Sequence, residues 1–559
     1  MTGTAPPVPR PAHGPGPHPE SRTPAGGGPT GRCDAVVIGS GPNGLVAANA
    51  LADAGWDVVV LEAATELGGA VRSGEVLVPG VVTDLFSAFY PLAAASPVIR
   101  DLDLEAHGLV WRRSPDVLAH PLPDGTCAVL HADAVATAER LEADAPGDGE
   151  AWLRMVARWN RVRDPLLDLL FTTFPPVRPA ARVLRALGTA EGLDLLRQVA
   201  TPVRRLAAEE FAGREARLLL AGNAVHADVP PDAAGSGLYG WLLTMLGQDV
   251  GYPVPEGGAG RLASALVGRA RARGVRLETG AEVVGIDVEA GRAVGVRLAD
   301  GSRVRARRAV LADVSAPALY ERLLPPEAVP QRLHERIRRF EWDPSTVKLS
   351  WALDGPVPWS ADAARRSGTV HLGVDVDGFV EASAALSAGG RPERPFVVLG
   401  QMGVADPTRT PPGTETAWAY THLARSSATD ADVVARQVEA LESAVEDVAP
   451  GFSDRVVARL VQTPLDLQAA DANLDLGAIN GGSSGLHHQL FLRPVAGTGR
   501  PATPVEGLFL ASASAHPGGG VHGACGWNAA RSALAASGRR GALRRALERT
   551  AWHRVVGSD

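Results

Sequence analysis

Gly39-Ser40-Gly41-Pro42-Asn43-Gly44 follows the apolar run Asp34-Ala35-Val36-Val37-Ile38 and opens an alanine-rich stretch from Leu45 to Gly55. Glycines so spaced between a strand and a helix suit one task, the close approach of backbone to a pyrophosphate. The first permits the tight turn, the second leaves room for phosphate, and the third lets helix pack on strand. The helix N-terminus then offers its unpaired N–H groups and positive dipole end to the phosphates. A second strand pattern over 57–62 ends in Glu62, 23 residues after Gly39, placed to accept hydrogen bonds from a ribose diol. An acid there disfavours a 2′-phosphate, which argues against NADP. Gly39, Ser40, Gly41, Gly44 and Glu62 are the candidate contacts to a dinucleotide, and the motif by itself leaves NAD and FAD open.

Two further stretches favour a flavin. Leu67-Gly68-Gly69-Ala70-Val71-Arg72 gives a second glycine pair with a cation behind it, suited to the far phosphate or the flavin end of an extended cofactor. Near the C-terminus Leu508-Phe509-Leu510-Ala511 leads into a glycine-rich loop, 512–524, and then an alanine-rich helix pattern from Cys525 to Ala535. Glycines let backbone N–H groups approach a planar ring, and a helix N-terminus favours the negative charge that a reduced flavin carries.

Lys348 is the one lysine among 55 basic residues. A chain that uses arginine elsewhere and keeps a single ammonium points to a site needing a compact charge or a depressible pKa, with a surface lysine as the alternative. In Thr346-Val347-Lys348-Leu349-Ser350-Trp351 the alternation puts Lys348 on the polar face of a strand. His516 and His522 lie in the glycine-rich loop and could move a proton near neutral pH. Lys348 and His522 are the candidate catalytic residues; His371, His487 and His488 carry weaker claims. The adjacent pair His487-His488 lacks an acidic or cysteine partner in sequence, so no metal site is expected.

At 559 residues the chain exceeds what one core holds, about 250 to 300 residues. Its 45% hydrophobic and 21% charged residues place it in the globular class. A net charge of −7 leaves no field to neutralise many phosphates, which argues against nucleic acid as a partner. Cysteines stand only at 33, 127 and 525, without CxxC spacing, which fits a reducing, cytoplasmic setting and argues against a redox disulfide. No window has the ~18 uninterrupted apolar residues of a membrane span. Residues 151–220 carry 12 arginines against seven acids, interleaved with Leu, Val, Trp152 and Trp159. They read as a solvated helical face or as a peripheral contact with an anionic membrane.

The elements that must position these groups follow. Residues 1–32, with nine prolines and no apolar run, are expected to be disordered. The strand-helix-strand unit over 34–62 comes next, then a mostly helical stretch over 100–250. Strands over 275–279, 282–288, 293–298 and 304–310 are read as one meander. Further strands over 345–353 and 395–400 precede a helix near 431–448, and a last strand spans 507–511.

These stretches resemble the FAD-dependent oxidoreductases of the phytoene desaturase and amine oxidase superfamily, closest to phytoene-dehydrogenase-related proteins. The resemblance is carried by 34–72, Gly80-Val81-Val82-Thr83-Asp84, Gly257-Gly258-Ala259-Gly260 with the strands to 310, Thr463-Pro464-Leu465-Asp466-Leu467, and 507–530. It implies an α/β fold, with an FAD-binding Rossmann-like domain of the glutathione-reductase type and a discontinuous mixed α+β substrate domain. The FAD-binding parts would be 33–100, 251–320 and 461–545. The substrate or cap parts would be 101–250 and 321–460, and 546–559 would form a tail. It further implies that Glu62 holds the adenosine ribose, that backbone at Val283 meets the adenine, and that Gly69 and Arg72 lie along the pyrophosphate and ribityl chain. Ser512 would lie near the phosphate, Val521 and His522 would cap the flavin, and Lys348 would occupy the strand whose lysine reaches flavin N5 through water. Ala70 and Ala513-Ser514 depart from the family pattern. The implied activity is a dehydrogenase, desaturase or oxidase that passes a hydride from a small or lipophilic organic substrate to flavin N5, with oxygen, a quinone or another electron acceptor. A reduced-flavin carotenoid-type isomerase and a non-catalytic flavin-binding interaction protein are the alternatives.

Overall fold

In the computed structural model, which describes residues 31–538 together with Gly541 and Trp552, β1 (Gly31–Ile38) runs into α1 (Pro42–Asp53) and returns through β2 (Val58–Leu61). The strands pair in parallel, Ala35 opposite Val58 and Ile38 opposite Leu61. All four residues of β2 are buried, because a parallel sheet is covered on both faces; hence an unbroken Val-Val-Val-Leu run rather than an alternation. Gly31 and Arg32, counted with the expected disordered tail, belong to β1. The rest of that tail, 1–30, and the terminal 546–559 apart from Trp552 lie outside the described residues.

The stretch 100–250 is less helical than its sequence pattern. It opens with a hairpin, β3 (Asp116–Pro121) and β4 (Cys127–His131), before α2 (Asp148–Phe171), α3 (Val177–Ala200), α4 (Arg214–His226) and α5 (Ser236–Val250). Apolar runs of five or six residues carry no period that separates strand from helix, and only pairing decides. In α2 the residues Trp152, Met155, Trp159, Val162 and Leu166 recur every three or four positions and are buried. Trp152 and Trp159 therefore face the core and not a membrane, Trp159 packing edge-on against Trp241 at 5.6 Å.

The four strands read as one meander divide into two roles. β5 (Arg276–Glu278) adds in parallel to the outer edge of β2. The meander proper is β6 (Val283–Glu289), β7 (Arg292–Leu298) and β8 (Arg303–Ala312). β8 is long enough to pair with β7 over its first residues, Arg303 to Arg305, and with β1 along almost its whole length.

A second seven-stranded sheet gathers β9 (Ser345–Leu353), β10 (Ser367–Leu372), β11 (Val397–Gln401), β12 (Glu415–Leu423) and β13 (Val456–Gln462) with the early hairpin, in the order β13-β9-β12-β11-β10-β3-β4. The chain then returns to the first sheet as β14 (Leu508–Leu510), parallel to the end of β8, and finishes in α6 (Ala524–Ser537), which packs on α1. Gly526 makes that crossing possible, since a Cβ there would overlap the main chain of Asn43. The first sheet thus assembles from three separated stretches of the chain, and its strand ends bring residues 39, 313 and 512 together.

Candidate active site

The turn after β1 is held from three sides. Gly39, at φ +91, donates its N–H to Leu61 O at 2.8 Å, and α1 starts on Gly41 with Pro42 at its first position, where a missing N–H costs nothing. Gly44 sits so close to Gly39 O that no Cβ fits between them. Glu62 Oε2 accepts from Ser40 N at 2.8 Å and Ser40 Oγ at 2.7 Å, and Oε1 accepts from Ala64 N at 2.9 Å. Ser40 Oγ also accepts from Gly68 N at 3.1 Å, so one hydroxyl joins both glycine turns to the acid. Gly69 lies against Gly41, where an added Cβ would come within 2.9 Å of Gly41 Cα.

Arg72 is not a surface charge. Its Nε donates to Gly69 O and a terminal nitrogen to Ala470 O, both at 2.9 Å, with the guanidinium 5.1 Å over the Phe86 ring. Val283 opens β6 two residues after Ala281, whose N–H meets Glu62 O at 2.8 Å, so the structure brings Val283 and Glu62 to one end of the sheet. Ser512 follows β14, where Ala511 N donates to Ala312 O, and its Oγ accepts from Ser514 N at 3.2 Å. These residues fit the expected FAD: a tight glycine turn that opens a helix N-terminus, a carboxylate just past the end of β2, and an arginine beside the second glycine turn.

Sequence reasoning missed Asp313, which lies just past β8 beneath this turn. Its Oδ2 accepts from Gly44 N at 2.7 Å, and it is 6% exposed. The available signal was an acid closing an apolar strand that ends level with Ile38.

Lys348 was expected on a polar face, but all nine residues of β9 are buried and Lys348 is 4% exposed. The alternation marks instead the face turned toward Asp84 and the short strand pair that follows the second glycine turn. Nζ donates to Asp84 O at 2.6 Å and Ser350 Oγ at 3.1 Å, and lies 5.8 Å over the Trp418 ring. Burial pushes its pKa down to about 8, against the pull of the Asp84 charge. In the β9–β12 register Ser350 faces Trp418, Lys348 faces Tyr420 and Thr346 faces His422, so these side chains share one face. Trp418 stacks on Tyr420 with ring centres 6.1 Å apart, and Phe89 adds to Trp418 at 5.8 Å. His422 Nδ1 lies 3.3 Å from Thr346 Oγ1, and its Nε2 lies 2.8 Å from Asp228 Oδ1 without the alignment of a hydrogen bond. Although burial opposes it, the charge and contact of Asp228, with Asp343 beyond, hold the His422 pKa above the usual value. Asp228 sits at φ +58, an uncommon backbone for a side-chain-bearing residue, and also accepts from Asn480 Nδ2. The sequence carried no sign of this grouping, because α4, β9 and β12 meet only in three dimensions.

His522 is 2% exposed, and its Nδ1 accepts from Ala524 N at 3.0 Å, capping α6. Burial pushes its pKa down to about 4, so the ring is neutral near pH 7. That geometry suits holding the loop and packing at a tilt against Phe171 at 5.1 Å more than carrying protons. Val521 beside it is half-buried. His516 likewise is driven to about 4 by burial, with Nε2 3.0 Å from Thr172 O. His371 pairs with His226 at 2.9 Å, away from the loop. His487, expected to lack an acidic partner, has Glu341 at 2.7 Å, while His488 turns inward to Pro494 O.

The description "Flavin containing amine oxidoreductase" belongs to the family whose sequence model matches residues 43–534. The chain is 30% identical over 541 residues to pyridine nucleotide-disulfide oxidoreductase domain-containing protein 2 of Mus musculus, covering 89% of this chain and 92% of that one. It is 26% identical to a limonene dehydrogenase polypeptide of Castellaniella defragrans, covering 90% and 94%. Among solved structures it superposes on an oxidoreductase from Methanosarcina mazei with a TM-score of 0.59 at 17% identity, over 89% and 99% of the two chains, a likeness of fold. With that match running through the glycine turns and Glu62, the chain belongs to the flavin-containing amine oxidoreductase family and is an FAD-dependent oxidoreductase.

Proposed function

We propose that this protein is a dehydrogenase or desaturase of a lipophilic organic substrate, working in the cytoplasm and in peripheral contact with a membrane. When bound, FAD supplies the hydride acceptor at N5, and oxygen, a quinone or another acceptor takes the electrons onward. The observation that carries the reading is the face around Lys348. Trp418, Tyr420 and Phe89 offer ring surface for an apolar molecule, and Lys348 and the His422–Asp228 pair are the buried polar groups beside it. Lys348 holds a proton at Nζ, and His422, kept basic by Asp228, is placed to hold one at its ring.

The outer surface supports the same reading. The two helical halves of α3, which meet at a kink at Gly188, leave Val177 and Leu184 on one half and Leu193 and Leu196 on the other between 56% and 68% exposed, with Arg178, Arg182 and Arg185 exposed on the first, a surface suited to an anionic membrane. Phe174 and Phe491, 4.8 Å apart, continue that surface toward Phe171 and His522. The limonene dehydrogenase relative acts, by its name, on an apolar molecule, which adds support.

The test is turnover of a set of apolar alkenes and of short water-soluble amines with a dye as electron acceptor, products read by mass. Loss of two hydrogens from an alkene is expected. Turnover confined to the amines, or an isomer of unchanged mass, would overturn the reading.

A further inference from the structure

We propose that Asp313 couples flavin binding to a proton: the carboxyl that fastens the Gly39–Gly44 turn to the end of β8 becomes neutral when FAD lies at that turn. The glycines there make room for this carboxyl as much as for a ligand. A Cβ on Gly41 would stand 2.8 Å from Asp313 Oδ2, and one on Gly44 2.9 Å from it. Asp313 N donates to Ile38 O at 2.8 Å and Asn473 Nδ2 to Asp313 O at 3.2 Å, so the residue is fixed between β1 and the loop before the final strand.

The charges around it are mostly negative. Asp471, whose Oδ2 lies beside Gly69, and Glu62 on the other side of the turn both act on Asp313, and Cys525 of α6 faces it from behind. Arg72, held by Gly69 O and Ala470 O, balances Asp471 from the far side. Among the described residues no ion pair joins Asp313 to an arginine or to Lys348. Burial, with Asp471 and Glu62 adding to it against the bond from Gly44, pushes the carboxyl up to about 7. A pyrophosphate brings two more negative charges to this turn and raises that value further. A neutral carboxyl keeps one oxygen to accept from Gly44 N and gains an O–H that donates to an anion. Binding therefore takes up a proton wherever the pH lies above the free carboxyl's value and below that of the complex.

The experiment is dilution of the purified full-length holoprotein at a series of pH values from about 6 to about 9, with released FAD read from its fluorescence. The dissociation constant is expected to be flat below about pH 7 and then to rise by up to about tenfold per pH unit. Asp313→Asn, which keeps an oxygen for Gly44 N, is expected to bind FAD with no such slope. A flat wild-type profile, or a slope kept by Asp313→Asn, would overturn the proposal. Should that variant fail to fold, calorimetric re-addition of FAD to the stripped wild-type protein at about pH 8, in buffers of different ionisation enthalpy, decides it. Uptake of about one proton per FAD supports the coupling and no uptake overturns it.

Discussion

Lys348 Nζ donates to the main-chain oxygen of Asp84 at 2.6 Å, and by that bond the second sheet grips the short strand pair that follows the Gly68-Gly69 turn. The Asp84 carboxylate in turn accepts from Ala259 N at 2.8 Å and from Arg409. One residue thus ties the strand pair after the glycine turn, the Gly257–Gly260 segment and the lysine strand together, and the catalytic candidate is positioned by the contacts of Asp84.

Lys348→Met and Lys348→Arg are expected to keep the flavin, since no FAD-turn residue is bonded to Nζ, and to slow flavin reduction about 10²-fold or more. Visible spectra for cofactor content and stopped-flow reduction for rate check this. Undiminished reduction in both variants would remove the lysine from the chemistry.

The depressed lysine also predicts a pH effect on stability. The unfolded chain holds the proton up to the ordinary value, the folded one only to about 8, so unfolding takes up a proton between them and folding gains as pH rises through that window. That gain is complete above the ordinary lysine value and absent below about 8. The stability of wild type relative to Lys348→Met should climb by up to about 3 kcal/mol between about pH 8 and pH 10.5. Urea unfolding of both proteins across that range reads it directly.

Arg409 is fully buried against Asp84 and Asp406, both of which it meets as ion pairs. Arg409→Met leaves two carboxylates without their cation and should cost about 3–5 kcal/mol by urea unfolding. Adding Asp84→Asn should recover part of that loss, because it removes one of the stranded charges.

Gly44→Ala places a methyl against Gly39 O and Asp313 Oδ2 together. The backbone cannot yield there without opening the turn, so the purified variant should be colourless or bind FAD at least about tenfold more weakly, as read by fluorescence titration.

Asp228→Asn removes the charge that keeps His422 basic. In a protein carrying carbon-13-labelled histidine, the His422 signal should titrate at lower pH than in wild type. Equal midpoints for His422 in both proteins would dissociate the pair.

What could be read from the chain was whatever is local in it. Gly39 to Glu62 is one continuous unit whose turn, cap and acid each have a physical signature within about 30 residues. Lys348 stood out by being a single lysine, although its burial was hidden: alternation marks a second face without saying whether water or another part of the chain covers it. The β3–β4 hairpin was obscured by runs too short to have a period. Asp313, Asp228 and His422 were out of reach for a common reason. Each gains its meaning from a partner more than 70 residues away, brought near by sheet pairing that no spacing rule encodes.

Hydride transfer from an apolar substrate is read most directly in the spectrum of the anaerobic holoprotein as an apolar alkene is added. The flavin absorbance is expected to bleach in a single turnover with one oxidised product per flavin, and Lys348→Met to bleach far more slowly. A flavin that stays oxidised with every apolar compound yet bleaches with a short, water-soluble amine would contradict it.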